Sequence, residues 1–475
     1  MRKPDDVLTP DLCVIGAGSG GLSVAAGAVQ MGASVVLVEA GEMGGDCLNA
    51  GCVPSKSLIA AAAAAQAQRE AAPFGVAARE PEIDYAAAME HVRSVIAAIA
   101  PHDSQERFEG LGVTVIRARA RFVSEREAEA GGRRIRARRF VIATGSRPAV
   151  PPVPGLDGVP YLTNETLWDL RERPEHLLIL GGGPIGMEMA QAHARLGSRV
   201  TVVEAARALG RDDPEVAAVA LARLRAEGVE IREGAAAERI SGAAGAVTLH
   251  LGDETVTGSH LLVAVGRRAS TDGMGLDAAG IDHDARGVTV DAGLRTTNRR
   301  VHAIGDAAGG LQFTHVAGYH AGLVVRSALF RLPVRARTDH IPRVTYTDPE
   351  VAQVGLTEAE ARDAHGDRIE VHRAPFAEND RARAERATEG LVKLVADARG
   401  RIHGVSMAGR HAGELIQPWA LALSKGLRVK DMAGHVAAYP TLGEVSKRVA
   451  GAYYQPRLFE NPRVKWVVRM LAKLG

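Results

Sequence analysis

The sequence predicts an α/β protein built from two copies of one strand–turn–helix–strand unit, followed by a separate C-terminal domain of mixed strands and helices. Three observations carry that expectation. Residues 11–39 and 177–204 each read as an apolar strand, a glycine-rich turn, a helix and a second strand ending in a glutamate. Beyond about residue 344, strands and helices alternate without a third glycine-rich turn. At 475 residues the chain is also too long for one hydrophobic core.

The first unit turns on Gly16, Gly18 and Gly21, a G-x-G-x-x-G run directly after the strand residues DLCVI. The first glycine permits the tight turn, the second lets the backbone approach a pyrophosphate, and the third lets helix and strand pack closely. The anion then lies at a helix N-terminus, where unpaired N–H groups and the helix dipole favour it. Glu39 ends the next strand, 18 residues after Gly21, where its carboxylate can accept bonds from ribose hydroxyls. Cys13, inside the first strand, reads as a small buried hydrophobe.

Next comes GGDCLNAGCVPSK, with four residues between Cys47 and Cys52, leading into an alanine-rich helix from about Ser55 to Ala72. Thiolates near a helix N-terminus have lowered pKa values and are nucleophilic. A metal site needs two further soft ligands at suitable spacing, and none stands nearby, so no metal is expected. The pair therefore reads as a redox disulfide. A helix is expected near Tyr85–Ala100, then short strands in VTVIRARARFV and RIRARRFVIATGS. The segment RPAVPPVPGLDGVP (147–160) reads as a linker whose prolines stop helix and sheet alike.

The second unit repeats the glycines as Gly181, Gly183 and Gly186, and Glu204 ends its second strand. A carboxylate there binds an adenosine ribose and repels a 2′-phosphate, which favours NAD(H) over NADP(H), although Arg207 and Arg211 follow closely. The tail after residue 460 sets Val464, Val467, Val468, Leu471 and Leu474 at helical spacing among Arg463, Lys465, Arg469 and Lys473. It reads as a helix packed on the C-terminal domain or a dimer partner, with a membrane-surface contact as the competing reading.

Composition bounds the partners. Net charge is +2, hydrophobic content 46% and charged content 24%, all ordinary for a globular protein. No concentrated basic face argues for nucleic acid. No apolar run reaches the roughly 18 residues that span a bilayer, and the start, MRKPDDVLTPDL, lacks the apolar core of a secretory signal. Three cysteines do not make a structural disulfide framework, so a cytoplasmic location is expected.

These motifs together resemble the class I pyridine nucleotide-disulfide oxidoreductases, which include dihydrolipoamide dehydrogenase, glutathione reductase and mercuric reductase. The resemblance also rests on A-T-G-S at 143–146, V-G-R-R at 265–268, A-I-G-D at 303–306, Y-T-D-P-E-V-A-Q-V-G at 346–355 and Y-P-T-L-G-E at 439–444. It implies two Rossmann-like dinucleotide-binding domains, one for FAD and one for NAD(H), plus a C-terminal α+β dimerisation domain. The implied segments are 1–150 (FAD domain, first part), 151–280 (NAD(P) domain), 281–343 (FAD domain, second part) and 344–475 (dimerisation). By the same resemblance Cys52 is the flavin-proximal sulfur that forms a charge-transfer thiolate, and Cys47 is the interchange thiol that meets the substrate. Lys56 approaches the flavin, with Glu188 pairing near the reacting ring. Thr144, Gly145 and Asp306 touch FAD, the Ala120 backbone meets its adenine, and Gly266 lies along the nicotinamide cofactor. The implied activity is electron transfer between NAD(P)H, FAD and the cysteine pair to a disulfide or other small acceptor, in a homodimer.

Two departures qualify that likeness. Dihydrolipoamide dehydrogenases and glutathione reductases carry a His-Pro whose histidine, backed by a glutamate, serves the interchange thiol from the partner subunit. Here the dipeptide is Tyr439-Pro440, with Glu444 at the glutamate position. A tyrosine, with an ordinary pKa near 10, is a poor general base at neutral pH. His435 lies four residues earlier and reads as a packing histidine. Mercuric reductases lack the histidine too, but have a C-terminal cysteine pair, whereas no cysteine follows Cys52. The alternatives are thus a dihydrolipoamide dehydrogenase-like activity, a mercuric reductase-like metal reduction, and a flavin redox sensor with little turnover.

Overall fold

The computed structural model describes residues 7–474. The described residues divide into two compact units, those up to 181 with 195–200 and 236–337 in one, and 182–194, 201–235 and those from 338 onward in the other.

The first unit is organised by a five-stranded sheet in the order Val301–Ala303, Arg139–Ile142, Leu12–Ile15, Val35–Glu39, Thr114–Arg117, every neighbour parallel. Its central strand Leu12–Ile15 is wholly apolar and buried because both faces are covered, whereas the edge strand Thr114–Arg117 leaves Thr114 and Arg117 exposed. Alternate side chains serve different layers. Leu12, Val14, Val35, Leu37 and Val141 pack with the helices Ser19–Gln30 and Thr314–Phe330. Cys13, Ile15, Val36, Val38 and Phe140 pack instead with Phe122, Ala128 and Ile135 of a small sheet formed by Val7–Leu8, Arg133–Ile135, Glu127–Ala130 and Ala120–Ser124. Cys13 is wholly buried, and burial pushes its thiol up to about 12, as suits a packing residue.

The expected linker is more structured than its prolines suggest. Ser146–Pro148 pairs antiparallel with Arg267–Ala269. Pro148 is tolerated because the ribbon has only two strands, leaving an edge on which no N–H is required. Farther on, Ile240 N–H donates to Pro154 O and Leu162 N–H to Leu261 O, tying the segment to residues 236–337. The strand His176–Leu180 runs parallel to His260–Val263.

In the second unit, residues 201–204 pair parallel with Glu230–Glu233. The C-terminal portion is a five-stranded antiparallel sheet in the order Arg343–Thr345, Glu350–Gly355, Ile402–Gly409, Leu391–Asp397, Ile369–Pro375. Val392, Leu394 and Ala396 face a core with Trp419, Val445 and Val449. On the other face stands Lys393, whose side chain is only 4% exposed. Its Nζ reaches Asp213 at 2.9 Å, Glu215 at 3.1 Å and Glu358 at 2.7 Å. Asp213 is the N-cap of the helix Pro214–Ala226, so one buried ammonium joins that helix to the sheet.

Removing one partner of a buried ion pair strands the other charges. Lys393→Met is therefore expected to cost about 3–5 kcal/mol of stability, measured by denaturant unfolding. Lys393 donation, aided by Arg362 and opposed by burial, lowers the Glu358 carboxyl from the usual 4.5 to about 2. Its contribution is complete above pH 4.5 and lost as pH falls towards 2, so that acid-side loss should flatten in the variant.

Candidate functional site

Each step of the first nucleotide turn has a steric cause. Gly16 has φ +106°, and a Cβ there would lie 2.4 Å from Ala143 O. A Cβ on Gly21 would lie 1.8 Å from Gly16 O. At Gly18 the nearest atom to such a Cβ is 3.9 Å away, so that side of the turn is open. Gly18 is also the N-cap of Ser19–Gln30, and no side chain caps this helix. An open backbone turn before uncapped helical N–H groups suits a dinucleotide pyrophosphate. Glu39 braces the turn, accepting Ala17 N–H at 2.5 Å and Gly41 N–H at 2.6 Å, one per carboxylate oxygen. Each oxygen has further acceptor capacity for a ribose hydroxyl.

The second turn repeats this design. Gly181 has φ +112° and a Cβ would meet Ala264 O at 2.5 Å, while Gly183 is open. Glu204 accepts Gly182 N–H at 2.7 Å and Ala206 N–H at 2.8 Å. Gly186 and Glu188 lie on the helix Pro184–Arg195. Glu188 is buried and its carboxylate accepts Tyr346 N–H at 3.0 Å.

The cysteines are tied directly to the first turn. Gly44 N–H donates to Ala17 O at 3.0 Å, and a Cβ on Gly45 would lie 2.7 Å from Gly18 Cα. Cys47 lies in the short helix Gly45–Asn49, and Cys52 is the first residue of Cys52–Arg69, three residues earlier than the alanine pattern suggests. Cys52 Sγ is 3.3 Å from Thr314 Oγ1. The Cys47 thiol donates to Cys52 and lowers it to about 6, helped by Thr314 and Lys56 and opposed by burial and Asp46. Cys47 is pushed strongly upward by that same bond, by burial and by its neighbour's charge. At neutral pH the free dithiol is thus a Cys52 thiolate beside a Cys47 thiol. Lys56 Nζ lies 3.4 Å from Ser55 Oγ, on the same helix.

Several residues around the pair escaped the sequence reading. Arg267 lies 3.1 Å from Asp46 and donates to Ser146 Oγ at 2.7 Å, and Ser146 donates to Asp306 at 2.5 Å. Burial raises the Asp306 carboxyl, against donation from Ser146 and the charge of Arg267. On the other side of Asp46, Asn164 donates to its carboxylate at 2.9 Å. Trp168 Nε1–H donates to Ala50 O at 3.0 Å. Arg267 and Ser146 do sit inside the quoted motifs V-G-R-R and A-T-G-S. Thr314, Asn164 and Trp168 carry no local signal.

The remaining expected residues are placed as follows. Thr144 Oγ1 is 3.9 Å from Met274 Sδ, and Gly145 (φ +67°) and Gly266 (φ +138°) have open space where a Cβ would point. Ala120 is buried at the start of Ala120–Ser124 and pairs with Ala130. In the second unit Tyr439 is exposed, and its hydroxyl donates to Asp380 at 3.3 Å. The Asp380 charge, that bond and Glu444 all raise its pKa. The carboxylate receiving the Tyr439 hydroxyl is thus Asp380, whereas Glu444 accepts Thr441 N–H at 3.4 Å. Asp380 and Glu444 line a hollow of about 260 Å³ with Asn379, Lys447 and Arg448. His435 Nδ1–H donates to Met432 O at 2.7 Å, holding the ring on its own helix. Among the described residues no group of three or more His, Cys, Asp or Glu is arranged to hold a metal ion.

Comparison with known proteins agrees with this geometry. Residues 10–321 match the family described as pyridine nucleotide-disulphide oxidoreductase, and residues 341–450 match the dimerisation domain of that family. A mercuric reductase from Streptomyces lividans is 37% identical, over 93% of this chain and 96% of its own. A dihydrolipoyl dehydrogenase from Bacillus subtilis is 35% identical, over 91% and 96%. The HOCl-induced flavoprotein disulfide reductase RclA from Escherichia coli superposes with a TM-score of 0.83 at 30% identity, covering 93% of this chain and 99% of its own.

Thr314→Val should raise the pH midpoint of the Cys52 thiolate from near 6 by about half a unit to one unit, the worth of one hydrogen bond. Ultraviolet thiolate absorbance of the reduced protein against pH reads this, and an unmoved midpoint removes Thr314 from the site.

Proposed function

The chain belongs to the pyridine nucleotide-disulphide oxidoreductases, and from that premise we propose that it is an NADH-dependent reductase of a small disulfide acceptor, working through Cys47 and Cys52. The family uses FAD and NAD(P)H, and FAD supplies the two-electron link between nicotinamide and sulfur. The observation that carries the proposal is the asymmetry of the pair. One sulfur is a stabilised thiolate at a helix N-terminus, and its neighbour keeps a proton.

That asymmetry supports a division of roles. Cys52, held by Thr314 and Lys56, would be the sulfur on the side of bound FAD. Cys47 passes its proton to the Cys52 thiolate that it is hydrogen-bonded to and attacks the acceptor disulfide, forming a mixed disulfide and releasing one half as a thiolate, which takes that proton and restores the Cys52 thiolate. Cys52 then displaces the second thiol from Cys47 and closes the protein disulfide. The uncommon feature is proton handling. Tyr439, held as a hydroxyl by Asp380, donates a hydrogen bond and positions substrate but does not act as a base near neutral pH. Dihydrolipoamide oxidation, which needs a base to take a thiol proton, is therefore disfavoured. Metal-ion reduction, the activity in the name of the mercuric reductase relatives, has only this one cysteine pair to receive a soft ion, since Cys13 is buried in the core. The match to a dimerisation domain supports a homodimer as the working form. We place the enzyme in the cytoplasm, where free thiols persist.

Anaerobic titration with NADH should give a long-wavelength charge-transfer band at two electrons. Cys47→Ser should keep a band of this kind without any reduction, because the Cys52 thiolate remains, and Cys52→Ser should abolish it. Reoxidation by disulfides, quinones, persulfides and metal ions then identifies the acceptor, and brisk steady-state turnover with dihydrolipoamide would overturn the assignment of Tyr439.

Glu204 carries the nicotinamide preference. NADH should exceed NADPH in kcat/KM by on the order of a hundredfold, and Glu204→Ala should shrink that ratio by removing the repulsion of a 2′-phosphate. Equal use of both cofactors by the unmodified protein would refute it.

A further inference from the structure

The helix Pro462–Leu471 belongs to no core. None of its side chains is buried, and it lies beyond residue 450, where the match to the dimerisation domain ends. Within its own domain it touches the preceding helix, Glu444–Phe459, and Val464 is half-buried. At about 100° per residue, Val464, Val467, Val468, Met470 and Leu471 share one arc, Lys465 and Arg469 share the opposite arc, and Trp466 stands at the border. Arg463 falls on the apolar side in the first turn, and Lys473 and Leu474 follow the end of the helix. Trp466 is 62% exposed, Val468 and Leu471 59% each. From Asn461 to Gly475 there are four cations and no carboxylate.

Charge decides what covers this face. A second copy of the helix would bring the same cations to the border of the apolar seam with no carboxylate to pair them. An anionic lipid surface answers every feature of the segment. The apolar arc enters the boundary between headgroups and acyl chains, the cations meet lipid phosphates, and the indole takes the interface between them. No helix among the described residues is long and apolar enough to cross a membrane, so the contact is a surface one. We propose that residues 461–475 are a reversible, salt-sensitive anchor that holds this flavoprotein on anionic bilayers. The proposal stands independently of the acceptor.

The test uses the full-length holoenzyme with vesicles of phosphatidylcholine containing phosphatidylglycerol, against vesicles of phosphatidylcholine alone. Co-sedimentation should be at least about tenfold stronger on the anionic vesicles and fall with added salt. Trp168 and Trp419 are buried, so a blue shift of tryptophan emission on binding reports Trp466. Trp466→Phe should still sediment but lose the shift. The combined change Lys465→Glu, Arg469→Glu and Lys473→Glu should abolish binding while flavin reduction by NADH is unchanged. Equal binding to both vesicles, binding by the charge-reversed protein, or no binding by the unmodified protein would each overturn the proposal. So would a tail truncation that converts a dimer to a monomer without any vesicle binding in the parent, because a second copy would then be the occupant.

Discussion

The site rests on one contact that needs no side chains. The backbone of Ala17 and Gly18, in the nucleotide turn, touches the backbone of Gly44 and Gly45, which opens the cysteine segment. Any Cβ at Gly45 would overlap Gly18, and any at Gly16 or Gly21 would break the turn from within. With those positions bare, the chain reverses from the strand Val35–Glu39 back across the helix N-terminus. The thiols therefore sit close to the glycine turn that opens the helix Ser19–Gln30 rather than on a separate loop. A redox pair that must exchange electrons with a bound dinucleotide needs that proximity, and hydrogen-bonded backbone holds it more rigidly than contacts between long side chains would.

Around this contact the polar groups form a connected series. Asp306 takes the Ser146 hydroxyl, Arg267 donates to Ser146 and pairs with Asp46, and Asn164 completes Asp46. The charge of Asp46, like burial, opposes the Cys52 thiolate. With Arg267 and Asn164 satisfying its carboxylate, the balance at Cys52 is left to the Cys47 thiol, Thr314 and Lys56, and the thiolate wins. Two neighbouring cysteines of equal chemistry are made unequal by which of them stands at the start of a long helix with donors aimed at it.

The two nucleotide turns show how one solution is reused. Glu39 and Glu204 each spend one oxygen on the amide after the first glycine and the other on an amide two residues beyond the carboxylate itself. The carboxylate thus shapes the turn itself, which explains why an acid suits that position on grounds of folding alone. The C-terminal sheet solves a different problem, using the buried Lys393 to hold three carboxylates from elements distant in sequence.

Much of this was legible from the amino-acid order. The glycine spacings, the terminal glutamates and the cysteine pair are local patterns, and local patterns survive in one dimension because the backbone conformation they demand is itself local. By itself the sequence determined the two nucleotide units, the cysteine pair and the Tyr439-Pro440 dipeptide. Tertiary structure decided the rest. It started the long helix at Cys52, tied the proline-rich segment into a ribbon, gave Tyr439 to Asp380 rather than Glu444, and left the terminal amphipathic helix without a core to join. Thr314 stands 262 positions from Cys52, and Asn164 118 positions from Asp46. Nothing near either residue in the chain announces its partner, because a hydrogen bond between distant segments leaves no mark on local composition until folding brings the two together.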